Sequence, residues 1–319
     1  MTSALSIRGV VKKFGNHIAV DDITFEVPRG VIYGILGPNG AGKSTTLRMI
    51  NDIIAPDRGE IRILDLPPGV AAARKIGYLP EERGLYPKMK VGEIVEFMGE
   101  LRGLSRAESK KRGAAWLERL GLSKWLGNKV EALSKGMQQK VQFATALLHE
   151  PEVVILDEPW SGLDPINAEV LREIVAEIRE GGRTVLFSTH QMEQAEKIVD
   201  AVCIIARGKL VLEGKLRDLK AASNADGWIA LAFSGGTKDK ADAVLADTAI
   251  VSERRDAAAG DHDIEVKAPD PQRLLSALIG AGAALRKFEV VEASLHQIFV
   301  EKVGPEAAVA ERRDEEPAA

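Results

Sequence analysis

The sequence predicts an α/β protein, on two observations. An apolar strand, a glycine-rich loop and a helix follow one another between Val31 and Ile53. The alternation returns after residue 150, with a strand at Val153–Leu156, a helix over Asn167–Arg179 and a strand at Thr184–Ser188. Continuous apolar runs such as Val153-Val154-Ile155-Leu156 suit parallel strands covered on both faces. At 319 residues and 45% apolar content, the chain has room for about two domains of ~150 residues.

In chain order, the first strands are expected at Ala4–Val11, Thr24–Val27 and Val31–Leu36, followed by a glycine-rich turn and a helix from Thr45 to Ile53. Ile76–Pro80 reads as a further strand. Between Leu85 and Glu150 strand patterns vanish, while Val91–Met98 and Ala114–Leu120 repeat apolar residues at helical spacing, so a mostly helical insert is expected there. After the small polar stretch 221–227 a second pattern starts, with strands near Trp228–Phe233, Ile264–Lys267 and Leu285–Val291 and helices near Pro271–Ile279 and Leu295–Val303. The expected domains are therefore 1–222 with a helical subdomain at about 85–150, then a small α+β domain at 223–303. Residues 304–319, rich in Ala, Glu, Arg and Pro, have no apolar face to bury and are expected to be a disordered tail.

Composition excludes several classes. Forty-three basic against 47 acidic residues give a net charge of −4 with no basic patch, which argues against a mainly electrostatic nucleic-acid binder. The single cysteine, Cys203, permits no intramolecular disulfide, fits a reducing compartment and reads as core filling. No basic-then-apolar leader opens the sequence, and no run approaches the ~18 apolar residues of a membrane span, so a cytoplasmic chain that does not cross the membrane is expected. Asp261, Asp263 and Glu265 alternate near a strand and read as a solvated face before a metal site.

Gly37-Pro38-Asn39-Gly40-Ala41-Gly42-Lys43-Ser44-Thr45 carries the spacing G-x-x-x-x-G-K-[ST] between a strand and a helix, the context a phosphate-binding loop requires. Glycines let the backbone approach a polyphosphate, and the loop amides with the helix N-terminus offer positive potential. Lys43 would reach the β/γ-phosphates and the Ser44 hydroxyl would ligate Mg²⁺. Phosphoryl transfer also needs a carboxylate near the metal and a group to orient water. Asp157 and Glu158, at the end of the strand Val153–Leu156, supply both: Asp157 for Mg²⁺ and Glu158 as general base.

Further motifs carry a resemblance. Leu133-Ser134-Lys135-Gly136-Met137-Gln138-Gln139, Asp157-Glu158, Ser161-Gly162-Leu163-Asp164 and Ser188-Thr189-His190 follow the phosphate loop in the order found in the nucleotide-binding subunits of ABC transporters. The resemblance covers about residues 4–220. It implies a P-loop NTPase fold of the ABC type, with a helical subdomain, that binds ATP with Mg²⁺ and is active as a head-to-tail homodimer or heterodimer. Each ATP would lie between one subunit's phosphate loop and the other's signature. By the same resemblance Ser134 and the Gly136 amide would face the γ-phosphate across the dimer; on the residues alone, Leu133-Ser134 is an ordinary helix cap. His190 resembles the family's switch histidine and Asp164 its inter-site communicator, and the latter also reads as a helix N-cap before Pro165. Phe14 lies where the family places an aromatic that stacks on adenine; a core phenylalanine is the other reading.

Two departures stand out. The signature has Lys135 and Met137 where the family commonly has Gly and Gln, and Glu81 occupies the place of a glutamine that reaches Mg²⁺. A carboxylate there still suits a hard cation, yet its charge beside a γ-phosphate should raise the dependence on Mg²⁺. The resemblance implies an ATPase at the inner face of the membrane, docked through the loop Arg83-Gly84-Leu85-Tyr86-Pro87 on separately encoded transmembrane permease subunits. Ser294–Val303 closes an extension similar to export-type subunits, including sodium-efflux and drug-resistance relatives. The alternatives are a soluble ABC-type ATPase remodelling a ribosome or DNA complex, and a regulatory module that binds ATP without hydrolysing it.

Overall fold

The computed structural model describes residues 3–82, 84–223, 228–234, 236–256, 263–290 and 293–303. The expected tail at 304–319, Arg83 and Asp261 lie outside them. β1 (Ser3–Phe14) and β2 (His17–Pro28) form a hairpin that precedes β3 (Ile32–Leu36) and α1 (Lys43–Ile50). β4 (Arg58–Ile63), α2 (Val70–Ala73) and β5 (Ile76–Leu79) lead into α3 (Val91–Leu101), α4 (Arg106–Arg119) and α5 (Lys135–Leu147). β6 (Val153–Asp157), α6 (Pro165–Glu180), β7 (Thr184–Thr189), α7 (Met192–Glu196), β8 (Ala201–Ala206), β9 (Lys209–Lys215) and α8 (Leu216–Ser223) follow.

The central sheet has the order β5-β6-β7-β3-β8-β9, parallel except for β9 at its edge. Its interior strands are buried throughout and largely apolar on both faces, the exceptions being Asp157 on β6 and Thr184, Ser188 and Thr189 on β7. One face turns Tyr33, Ile35, Ile155 and Cys203 toward a second, antiparallel sheet of order β2-β1-β4, and Leu47 and Ile50 of α1 join that core. Phe25 stacks on Tyr33 between the layers, with ring centres 5.8 Å apart. Cys203 is fully buried there, and burial pushes its thiol up.

The helical stretch emerges as expected; its only β pairing among the described residues is a lone bridge between Lys90 and Lys129. Other expectations need correction. β1 and β2 run longer than their apolar cores, because a hairpin ladder continues through polar residues up to the pair Phe14–His17. β4 was not foreseen: its residues are mostly exposed at a sheet edge, so no apolar run announces it. The helix expected from Thr45 begins at Lys43, directly on the loop, and α6 begins at Pro165, capped by Asp164.

By its contacts the chain divides at Leu216, with 299–303 grouped with the first unit. The second unit contains β10 (Trp228–Phe233), α9 (Lys238–Leu245), β11 (Glu253–Asp256), β12 (Ile264–Lys267), α10 (Pro271–Gly280) and β13 (Leu285–Val290); α11 (Leu295–Val303) ends the described chain. Its sheet has the antiparallel order β11-β12-β10-β13. Leu245 of α9 and Leu274 and Leu278 of α10 bury Ile229, Leu231, Ile264 and Val266. Within the acidic alternation, Asp263 accepts from the Phe233 amide at 2.7 Å and Glu265 pairs with Arg255, whose guanidinium lies over Trp228.

Candidate active site

The loop from Gly37 to Gly42 leaves the C-terminal end of β3 and turns straight into α1. Two glycines are required by space as well as by backbone angle. A Cβ at Gly37 (φ +146°) would lie 2.0 Å from the Ile205 carbonyl oxygen, and one at Gly42 (φ +105°) would lie 2.4 Å from the Ala19 carbonyl oxygen. Lys43 is 5% exposed, and its ammonium donates back to the carbonyls of Gly37 at 2.7 Å and Pro38 at 3.0 Å. Asn39 to Lys43, with Phe14, His17, Ala19, Ser44, Thr45, Glu81 and Glu158, line a cleft of about 450 Å³.

Sheet order brings the remaining groups to this cleft. β7 lies between β3 and β6, and its register sets Ser188 opposite Asp157 and Thr189 opposite Leu36. Ser44 Oγ donates to Asp157 Oδ1 at 3.2 Å, and Ser188 Oγ donates to the same oxygen. Glu158 adopts a left-handed backbone, φ +47°, which costs a non-glycine residue roughly 1–2 kcal/mol. Its carboxylate is held on three sides: Thr189 Oγ1 donates to Oε2 at 3.0 Å, the His190 amide donates to Oε1 at 3.0 Å, and His190 Nδ1 lies 2.9 Å from Oε1. Lys43 Nζ stands 3.9 Å from the same oxygen.

Charge accumulates here. Burial pushes the Asp157 carboxyl up, opposed by the hydroxyls of Ser188 and Ser44, and Glu158 pushes it further. Burial, then Asp157 and Glu158, raise Glu81 as well, while Lys43 and Arg48 pull it down. Among the described residues no cluster of three acidic, histidine or cysteine side chains is placed to hold a metal by itself; Ser44 Oγ and Asp157 Oδ1, 3.2 Å apart, are hard oxygen donors of the kind a divalent cation shared with phosphate would take.

The sequence-predicted residues divide into two groups. Phe14, Asn39, Gly40, Ala41, Gly42, Lys43, Ser44, Thr45, Glu81 and Glu158 share the cleft; Asp157 and His190 touch its lining, and Gly37 and Pro38 adjoin it through the carbonyls that accept from Lys43. Phe14 is 50% exposed, so it is not a core residue; Lys12 approaches its ring at 5.6 Å. Ser134, Gly136 and Asp164 do not line this cleft. Ser134 caps α5 through the Met137 amide, and Asp164 caps α6 through the Asn167 amide at 3.0 Å. His17, Thr189 and the glutamines of α5 were given no role from sequence. Thr189, Gln138 and Gln139 sat in motifs already singled out, whereas His17 and Gln142 did not.

Glycine loop, lysine and serine after β3, with two acids at the end of β6 one strand further across the parallel sheet, define a P-loop nucleoside triphosphatase. A profile described as "ABC transporter" matches residues 20–161, and one described as "ATP-binding protein DrrA1-3-like, C-terminal domain" matches residues 214–303. The uncharacterised ABC transporter ATP-binding protein YhaQ of Bacillus subtilis is 41% identical, covering 94% of this chain and 98% of its own. The linearmycin resistance ATP-binding protein LnrL of the same organism is 33% identical over the same shares, and the Nod factor export ATP-binding protein I of Ralstonia nicotianae is 37% identical over 68% of this chain and 69% of its own. Among solved structures, the dimeric ATP-binding cassette MJ0796 with ADP and Pi has a TM-score of 0.62 at 27% identity, covering 67% of this chain and 99% of that one. The chain belongs to the ATP-binding subunits of ABC transporters. It is an ATPase of that family, and among the described residues no helix is long and apolar enough to cross a membrane.

Proposed function

We propose that this protein is the Mg²⁺-dependent ATPase of an exporter, acting in pairs at the inner face of the membrane on separately encoded permease subunits. The observation that carries the reading is the convergence of Lys43, Ser44 and Glu158 on one cleft, with Glu158 held by His190 and Thr189. Lys43 and the loop amides would bind the β- and γ-phosphates, exchanging the lysine's contacts with Gly37 and Pro38 for phosphate oxygens. Phe14 would stack on adenine. Glu158 is the base that takes a proton from the attacking water, and His190 orients it. Ser44, Asp157 and Glu81 would hold Mg²⁺, which when bound neutralises charge on the transferred phosphoryl group.

The signature turn supports a dimer. Ser134 and Gly136 stand outside their own subunit's cleft, at the N-terminus of α5, where a hydroxyl and an amide are free to meet the γ-phosphate of ATP held by another copy. Asp164, at the head of α6, would report between the two sites. MJ0796 is a dimer with ADP and Pi, in keeping with this reading. Homodimer and heterodimer both suit it.

For the permease contact, Leu85 is buried and anchors a loop that presents Tyr86, 53% exposed, edge-on to Phe97 of α3 at 5.9 Å. An apolar step of this kind suits a short cytoplasmic helix of a membrane subunit. Export rests on the linearmycin resistance and Nod factor export relatives. Residues 1–222 would form the ATPase domain and 223–303 an accessory domain. The transporter relatives give no support to remodelling of a ribosome or DNA complex. Purification of tagged protein from its native cells in mild detergent with ATP and Mg²⁺ tests the reading: multi-span polypeptides should co-purify. Ribosomal or DNA-repair components in their place would overturn it.

A further inference from the structure

Helix α5 starts at the signature turn and carries side-chain donors that reach four other segments. Gln138 Nε2 donates to the carbonyls of Val130 and Leu133, and Lys140 Nζ to that of Leu120. Gln139 Nε2 donates to the Pro159 carbonyl at 2.6 Å. Gln142, only 5% exposed, donates to the carbonyls of Pro80 at 3.3 Å and Glu82 at 3.1 Å. Gln139 and Gln142 are three residues apart and share one helix face.

The carbonyls they hold flank the acids of the cleft. Pro159 directly follows Glu158, and Pro80 and Glu82 bracket Glu81. A proline has no N–H, so its carbonyl is the only polar backbone group that Pro159 itself offers as an anchor. Glu158 holds a left-handed backbone that needs support from both sides. On the N-terminal side, its own amide donates to Ser188. On the C-terminal side the Ser161 amide donates to the Glu158 carbonyl at 3.1 Å, Trp160 packs edge-on to Phe187, and Gln139 holds the intervening peptide.

We propose that Gln139 is a positioning residue for ATP hydrolysis: its bond to the Pro159 carbonyl fixes the strained backbone of Glu158 and thereby aims the base. Gln142 fixes the loop bearing Glu81 in the same way, so one helix face aligns both acid-bearing loops. The inference rests on the reading of Glu158 as the base.

The test uses the full-length chain with Gln139→Glu, which keeps shape but has no N–H to donate, Gln139→Ala, and Gln139→Arg, which restores a donor. Glu158→Gln is measured alongside. We expect Gln139→Glu and Gln139→Ala to lower kcat roughly three- to tenfold, the scale of one orienting hydrogen bond. The ATP dissociation constant should stay within twofold of the parent, and Gln139→Arg should recover most of the loss. Parent-like kcat in Gln139→Glu, loss of ATP binding in step with kcat, or no recovery by Gln139→Arg overturns the proposal. If Glu158→Gln is inactive while the Gln139 variants turn over normally, only the positioning role fails. If Glu158→Gln itself turns over normally, the base assignment fails and the positioning role falls with it.

Discussion

His190 meets Glu158 twice: its amide and its Nδ1 both address carboxylate oxygen Oε1, at 3.0 and 2.9 Å. The backbone contact survives any substitution at His190 that leaves the strand end in place, and only the ring contact is lost. His190→Ala is therefore expected to lower kcat about a hundredfold, within the range usual for groups serving a general base, with the ATP dissociation constant unchanged. Single-turnover kinetics beside equilibrium binding would show the split, and parallel loss of both would contradict it.

Glu158→Gln removes the base and keeps the shape. Turnover should fall by about a thousandfold or more, while ATP binding persists and a dimer with bound ATP accumulates. Light scattering after gel filtration would report the doubled mass. A monomer at saturating ATP would refute the clamped dimer.

Glu81 shares its surroundings with Asp157 and Glu158, and burial followed by those two charges raises its carboxyl. Glu81→Gln removes its own charge. The Mg²⁺ concentration for half-maximal hydrolysis should shift by roughly threefold or more, and an unchanged Mg²⁺ titration would show that Glu81 is no part of the metal site.

Gly37→Ala places a methyl group 2.0 Å from the Ile205 carbonyl oxygen, so the loop must move. A destabilisation of about 1–3 kcal/mol is expected, together with loss of ATP binding. Calorimetry with an ATP titration checks both, and retained affinity would mean that the loop tolerates the shift.

His149 gives a pH prediction remote from the cleft. Burial, then Arg102 and Arg112, hold its pKa below the usual 6.5; Nε2 lies 3.0 Å from the Ile76 carbonyl, and Nδ1 is buried without a hydrogen-bond partner among the described residues. The folded state therefore disfavours the protonated ring. That stability is present above pH 6.5 and is lost as pH falls toward the depressed folded value. Between pH 7.5 and 5.5 the parent's Tm should drop by about 2 °C more than that of His149→Gln, which does not titrate. Equal drops would exclude His149 as the cause.

The phosphate loop, Asp157 and Glu158 were legible because each demands particular residues over a few positions: glycines where a Cβ would strike Ile205 or Ala19, acids at the end of an apolar strand. Edge strands were not. β4 and β11 are short and largely polar, and only their pairing with β1 and β12 makes them strands. The roles of Gln139 and Gln142 were equally hidden, since a helical glutamine reads as solvated until its acceptors are known.

The sequence by itself determined the class of chemistry, because a loop that cradles phosphate is a local backbone property written in consecutive residues. Only the tertiary structure decided which side chains meet. Ser44 and Asp157 are 113 positions apart, and Thr189 and Glu158 are 31 apart. They come together because β7 inserts between β3 and β6 and sets the register at the strand ends, a result of burying two-sided apolar strands side by side that no short stretch of sequence specifies.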